Sequence, residues 1–268
     1  MTFRRSALLL TLVPVLVLAA CGGGSGAKKA ASTPTSTPTS ASATAISEVS
    51  YGKGAGQAWV LRPKNVKPKA VVLFFHGLGD QKETTPYYHL PWLEHLAAKN
   101  IVVYPRYEKY PGARGALKNA IIGINNAVAG AKIPESLPVV AIGYSRGGGL
   151  GFDYAAVAPA VGPIPKAVLE VFPGMQDPAL DIRGIAPNTY LVFLVGQDDT
   201  VVGNRGAEVL IGILAAAKYP RQFVKEYTVK THTGFLADHL APLETTQGAK
   251  NAFWRPADQL ITAMTKSA

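Results

Sequence analysis

The sequence predicts an α/β domain: a mostly parallel central sheet of about eight strands, with helices on both faces and no large cap domain. Three observations carry this expectation. From residue 46 onward, apolar runs of strand length alternate with segments of helical periodicity. Central runs such as Val71-Val72-Leu73-Phe74-Phe75 are apolar throughout, as strands covered on both faces must be. The 268 residues, 48% hydrophobic and 16% charged, suffice for one such core behind a tail.

The first two strands, Ile46–Tyr51 and Gln57–Leu61, are expected to pair antiparallel at an edge. The buried run Ala70–Phe75 comes next, then a helix at Tyr88–Lys99 and the strand Ile101–Tyr104. A second helix fits Ala113–Ala129. It is followed by the strand Pro138–Ile142, a helix at Arg146–Ala158 and the strand Ala167–Phe172. The strand Tyr190–Val195 precedes an amphipathic helix at Asn204–Ala217. Last come the strand Phe223–Val229 and a second amphipathic helix at Asn251–Lys266. Between Phe172 and Tyr190 the chain is too short to hold an inserted lid domain.

Two segments precede this domain, which spans 46–268. Residues 1–20 carry Arg4 and Arg5, then an apolar run from Ala7 to Ala20 that is short for a bilayer span but suits a signal peptide. The run ends in Leu18-Ala19-Ala20-Cys21, followed by Gly22-Gly23-Gly24, and resembles the lipobox of bacterial lipoproteins. That resemblance implies cleavage before Cys21, diacylation of its thiol, and anchoring on the extracytoplasmic face of the cell membrane. Two acyl chains hold a protein at a membrane far more firmly than one. Cys21 is the sole cysteine, so no intrachain disulfide forms. Residues 21–45 are rich in Gly, Ala, Ser, Thr and Pro, a composition that cannot bury enough apolar surface to order itself, and read as a tether.

The formal charge of +10 falls by two when Arg4 and Arg5 leave with the signal segment. A basic protein suits an anionic envelope. The Lys and Arg residues are scattered without interleaved aromatics, so nucleic acid is not an expected partner. His89 and His95 flank Trp92 at a spacing of six, which does not put two ligands on one helical face. They read as packing or surface residues, and neither a metal nor a cofactor is expected.

The chemistry centres on Gly143-Tyr144-Ser145-Arg146-Gly147. This G-x-S-x-G run follows a buried strand and precedes a helix, where a tight turn exposes the serine oxygen. Glycines two residues to either side let strand and helix approach without Cβ clashes. A helix N-terminus aims backbone N–H groups at the site, which makes the Arg146 N–H a natural oxyanion donor. A dinucleotide turn is excluded by register, because no G-x-G-x-x-G follows the strand. Upstream, the apolar strand runs into His76-Gly77-Leu78-Gly79. The backbone matters more there than the imidazole: the Leu78 N–H is the candidate second donor, and His76 reads as a hydrogen-bonded scaffold residue.

Together, HGLG, GYSRGG, Gly196-Gln197-Asp198-Asp199-Thr200-Val201-Val202 and a late histidine resemble the α/β-hydrolase superfamily over nearly everything after the tether. The resemblance implies a catalytic triad in the order Ser, acid, His, with Ser145 as nucleophile. In relatives the acid lies in a G-x-x-D-x-x-V pattern, which here favours Asp199, with neighbouring Asp198 as the competitor. His239, in Ala237-Asp238-His239-Leu240-Ala241-Pro242, is favoured as base because relatives carry it in a similar segment; His232 is the alternative. The implied function is a serine esterase acting through an acyl-enzyme on small-molecule or polymer-attached esters. An acyltransferase or thioesterase with the same triad, and a catalytically silent envelope-binding lipoprotein, are the rival readings. Tyr107, Tyr110, Phe172, Met175 and Phe235 lie on loops placed either to line an open cleft or to pack in the core.

Overall fold

The structure, a computed structural model, describes residues 44–78, 84–107, 112–174 and 181–266. The expected signal segment, Cys21 and the tether through residue 43 lie outside the described residues, as do Gly79, Tyr110 and Met175. The compact unit that carries the fold runs from Ala43 to Ala268.

The elements follow in order as β1 (Ile46–Tyr51), β2 (Ala58–Pro63), β3 (Val71–Phe75), α1 (Leu90–Ala97), β4 (Ile101–Pro105), α2 (Gly112–Gly130), β5 (Val139–Tyr144) and α3 (Arg146–Val161). They continue as β6 (Pro165–Val171), β7 (Tyr190–Gly196), α4 (Arg205–Ala216), β8 (Val224–Val229), α5 (Gln247–Ala249) and α6 (Arg255–Lys266). The sheet order is β1-β2-β4-β3-β5-β6-β7-β8. The pairs β1–β2 and β2–β4 are antiparallel, and every other neighbouring pair is parallel.

Element boundaries differ from the sequence expectation where capping decides them. The helix expected from Tyr88 begins at Leu90, after a 3-10 turn at Pro86–Tyr88. Pro91 then falls in the first helical turn, where its missing N–H costs nothing. The C-terminal helical segment starts earlier than Asn251, because the Thr246 side chain accepts the Ala249 N–H and caps a turn at Gln247. A π turn at Lys250–Trp254 carries that segment into α6.

The period-two alternation of each strand feeds two cores. Val71, Leu73 and Phe75 of β3 pack with Ala120 and Ile124 of α2, Phe152 of α3 and Leu210 of α4. Val72 and Phe74 turn the other way, toward Trp92 and Leu93 of α1 and Ile261 and Met264 of α6. Each fully buried side chain of this size contributes about 1.5–3 kcal/mol relative to exposure, and this pays for ordering strands covered on both faces. Among the described residues, no helix is long and apolar enough to cross a membrane. Because β5, β7 and β8 are mutually parallel, the loops after all three leave the same edge of the sheet. In open α/β sheets that edge is where ligands bind.

Candidate active site

Ser145 occupies the single residue between β5 and α3, with φ 56° and ψ −123°. Such a conformation costs a non-glycine residue on the order of 1–3 kcal/mol and persists only where neighbours enforce it. Here the Ser145 N–H donates to Val171 O of β6 at 2.9 Å. Its carbonyl accepts from Gly148 N at 2.9 Å and from Gly174 N at 2.7 Å. Close approach accounts for the two motif glycines. A Cβ on Gly143 would lie 2.2 Å from Gly147 O, and one on Gly147 would lie 2.2 Å from Phe75 O. Strand and helix therefore meet at backbone contact, and the serine is pushed out of the turn.

Asp199 and His239 come to that serine from the loops that follow β7 and β8. The His239 Nδ1–H donates to Asp199 Oδ2 at 2.9 Å. Ser145 Oγ lies 2.9 Å from His239 Nε2. The carboxylate can only accept, so it fixes the tautomer: Nδ1 carries the proton and Nε2 is left to receive the one on Ser145 Oγ. Asp199 is buried, and its second oxygen accepts from Val201 N at 2.9 Å and Val202 N at 3.1 Å. Three donors thus hold one carboxylate in one orientation. Tyr144, next to the serine, donates its hydroxyl to His239 O at 2.7 Å and fixes the backbone of the base.

Asp198 and His232 are placed elsewhere. Asp198 Oδ2 accepts from the Thr231 hydroxyl, and among the described residues no hydrogen bond to an imidazole is found for it. The exposed His232 directs its Nδ1 at Thr233 O, 3.1 Å away, and stacks near Phe235. Adjacent aspartates on a turn project differently, so only one can meet the ring.

Of the two expected oxyanion donors, Arg146 follows the serine directly in the chain, and Leu78 follows the turn at Gly77 that packs against it. Arg146 is the first residue of α3, and its guanidinium donates to Gly112 O at 3.0 Å, away from the turn. Leu78 follows Gly77, on which a Cβ would lie 3.3 Å from Ser145 Cβ. His76 is scaffold: its Nδ1–H donates to Gly77 O at 2.8 Å, and its ring stacks on Tyr107 at 3.9 Å. Burial drives its pKa down to about 3, so it is neutral. The fully buried Glu170 of β6 neighbours the start of α3, and burial, reinforced by Asp153, raises its pKa well above the carboxylate range.

For the aromatic residues the structure decides between the two readings. Tyr107, Phe172 and Phe235 are buried: Tyr107 stacks on His76, while Phe172 and Phe235 pack on Phe253. All three belong to the buried core, and Phe235 also lines the cavity between β7–β8 and α6. His89 is buried among aromatics, and His95 pairs with Asp258 at 2.8 Å. Sequence reasoning passed over Tyr144 and Thr231, since nothing local marks a hydroxyl that reaches a loop tens of residues away. Among the described residues, no group of three or more His, Cys, Asp or Glu side chains converges as a metal site. A cavity of about 850 Å³ lies between β7–β8 and α6, and none of Ser145, Asp199 or His239 lines it.

No family model and no curated protein matches the chain. Solved structures do. A thermostable esterase from Pseudomonas putida is similar at 18% identity and TM-score 0.58, covering 83% of this chain and 84% of that one. Esterase B from Lactobacillus rhamnosis, in a structure with a tributyrin phosphonate, is similar at 14% identity and TM-score 0.64, covering 83% and 87%. An α/β-hydrolase enzyme from a deep-sea metagenome library is similar at 16% identity and TM-score 0.58, covering 84% and 99%. The chain has the α/β-hydrolase fold.

Proposed function

We propose that this protein is a serine hydrolase that cleaves carboxylic esters through an acyl-enzyme on Ser145. The observation that carries the proposal is the unbroken chain from Asp199 Oδ2 through the His239 imidazole to Ser145 Oγ, both links at 2.9 Å, ending on a serine held at φ 56°. As Oγ attacks the ester carbonyl, its proton passes to His239 Nε2, and Asp199 stabilises the imidazolium that forms. The backbone N–H groups of Leu78 and Arg146 hold the developing oxyanion. The leaving alcohol takes the proton from Nε2 as the C–O bond breaks. Water, deprotonated by the same nitrogen, then releases the acid and restores Ser145. The names of the similar structures, all hydrolases or esterases, support ester substrates, and the short connection between β6 and β7 supports small or chain-end esters.

The same reading places the enzyme on the extracytoplasmic face of the membrane, tethered by lipid on Cys21, on the strength of Leu18-Ala19-Ala20-Cys21. Incorporation of an alkyne fatty acid that disappears in Cys21→Ala would support this; equal incorporation in the variant would overturn it. The activity is tested on the full chain with a fluorophosphonate probe, peptide mapping and Ser145→Ala. Labelling at Ser145, with ester turnover lost in the alanine variant, is the expected result. A folded protein that stays unlabelled, or an active Ser145→Ala, would sink the proposal.

A further inference from the structure

His239 belongs to no helix or strand. β8 ends at Val229 and the next 3-10 turn begins at Ala241, so the base rides on an irregular loop. A catalytic group must be held to about half an ångström to work, and loops hold side chains less well than strands. Something must stiffen this one.

We infer that Asp198 and Thr231 form a clamp that positions the His239 loop against Asp199; this rests on reading Ser145, His239 and Asp199 as a catalytic triad. Ala237, two residues before the base, is gripped on both its backbone groups. Its N–H donates to Thr231 Oγ1 at 2.9 Å, and its carbonyl accepts from Asp198 N at 3.1 Å. The Thr231 hydroxyl donates in turn to Asp198 Oδ2. The hydroxyl thus accepts from one partner while donating to the other, and the arrangement closes into a ring of Asp198, Thr231 and Ala237. Gln197 N donates to Val229 O at 2.9 Å, so the turn after β7 also holds the point where the loop leaves β8. Reciprocal bonds between His232 and Phe235, at 3.0 and 2.9 Å, close the loop's own turn.

The consequence is that acid and base share one frame. Three consecutive residues, Gln197, Asp198 and Asp199, contact the loop's root, its middle and its imidazole. Asp198 and Thr231 touch no reacting atom and are positioning residues. Thr231 is the sensitive member because a hydroxyl is needed in both directions, and valine, of the same shape, supplies neither a donor nor an acceptor.

The test compares wild type, Thr231→Val, Thr231→Ser and Asp198→Asn in the full chain, with p-nitrophenyl acetate turnover, fluorophosphonate labelling rate and thermal unfolding. A misplaced base predicts that Thr231→Val loses on the order of 10²-fold in kcat with KM unchanged. The labelling rate should fall in parallel, Thr231→Ser should restore both, and Asp198→Asn should fall between. The downfield proton resonance of the Asp199–His239 hydrogen bond should broaden or vanish in Thr231→Val and return in Thr231→Ser. If Thr231→Val fails to fold, Asp198→Asn and the serine variant carry the comparison. A Thr231→Val enzyme with wild-type kcat, or kcat losses that serine does not rescue, would overturn the clamp. A wild type whose Ser145 is inert would instead overturn the triad reading on which the clamp depends.

Discussion

Replacing Asp199 by Asn changes one oxygen to an amide and should nearly silence the enzyme, for a reason visible in the hydrogen bonds. Asp199 Oδ1 faces two backbone donors, Val201 N at 2.9 Å and Val202 N at 3.1 Å. An asparagine must offer its carbonyl oxygen to those N–H groups, because turning the NH2 toward them would oppose donor to donor in a buried site. The NH2 then points at His239 Nδ1, which must become the acceptor, and the ring proton moves to Nε2. That nitrogen, 2.9 Å from Ser145 Oγ, can no longer take the serine proton. A wrong tautomer at an otherwise intact triad costs about 10⁴-fold in kcat. In free energy that is about 5 kcal/mol of transition-state stabilisation. The assay is ester hydrolysis and fluorophosphonate labelling of full-length Asp199→Asn beside wild type, with thermal unfolding to show that the fold persists. A folded Asp199→Asn that keeps a tenth or more of wild-type kcat or labelling rate would refute the tautomer argument and the role given to Asp199.

Three further outcomes follow from the same geometry. Ser145→Gly should abolish turnover yet raise stability by about 1 kcal/mol, since relief of 1–3 kcal/mol of strain at φ 56° exceeds the entropic cost of glycine; thermal unfolding at or below that of Ser145→Ala would contradict the strained turn. Gly147→Ala should destabilise the fold by about 3 kcal/mol or more, because its Cβ meets Phe75 O and His76 O, neither of which can yield; urea titration showing a near-neutral effect would show that the strand and helix can part. Burial lowers the pKa values of His76 and His89 from 6.5 to about 3, so the unfolded chain binds protons that the native chain refuses. Stability from this source is full above about pH 6.5 and is lost as the pH falls toward 3; His89→Phe should flatten that decline in unfolding temperature between pH 7 and 4, and an unchanged slope would rule out histidine burial as its cause.

Much of the architecture was legible because its signals are local. Val71–Phe75 could be read as a strand covered on both faces from its unbroken apolar run, and the G-x-S-x-G turn from glycines placed where backbones must touch. Helix boundaries were less legible. Pro91 in the first turn of α1 and the Thr246 cap before α5 depend on a few hydrogen bonds that periodicity does not report.

The sequence by itself determined the order of strands and helices, the serine turn, and a short list of two aspartates and two histidines as its partners. The tertiary structure decided which of each pair meets. Asp198 and Asp199 are neighbours with the same chemistry, and only the packing of the β8 loop against the end of β7 sends one carboxylate to an imidazole and the other to Thr231. His232 and His239 likewise share one loop, and its closure through Phe235 and Ala237 leaves the first in solvent and brings the second to Ser145. A side chain's identity is written locally. Its partner is set by contacts between residues far apart in the chain, and those exist only once the sheet has formed.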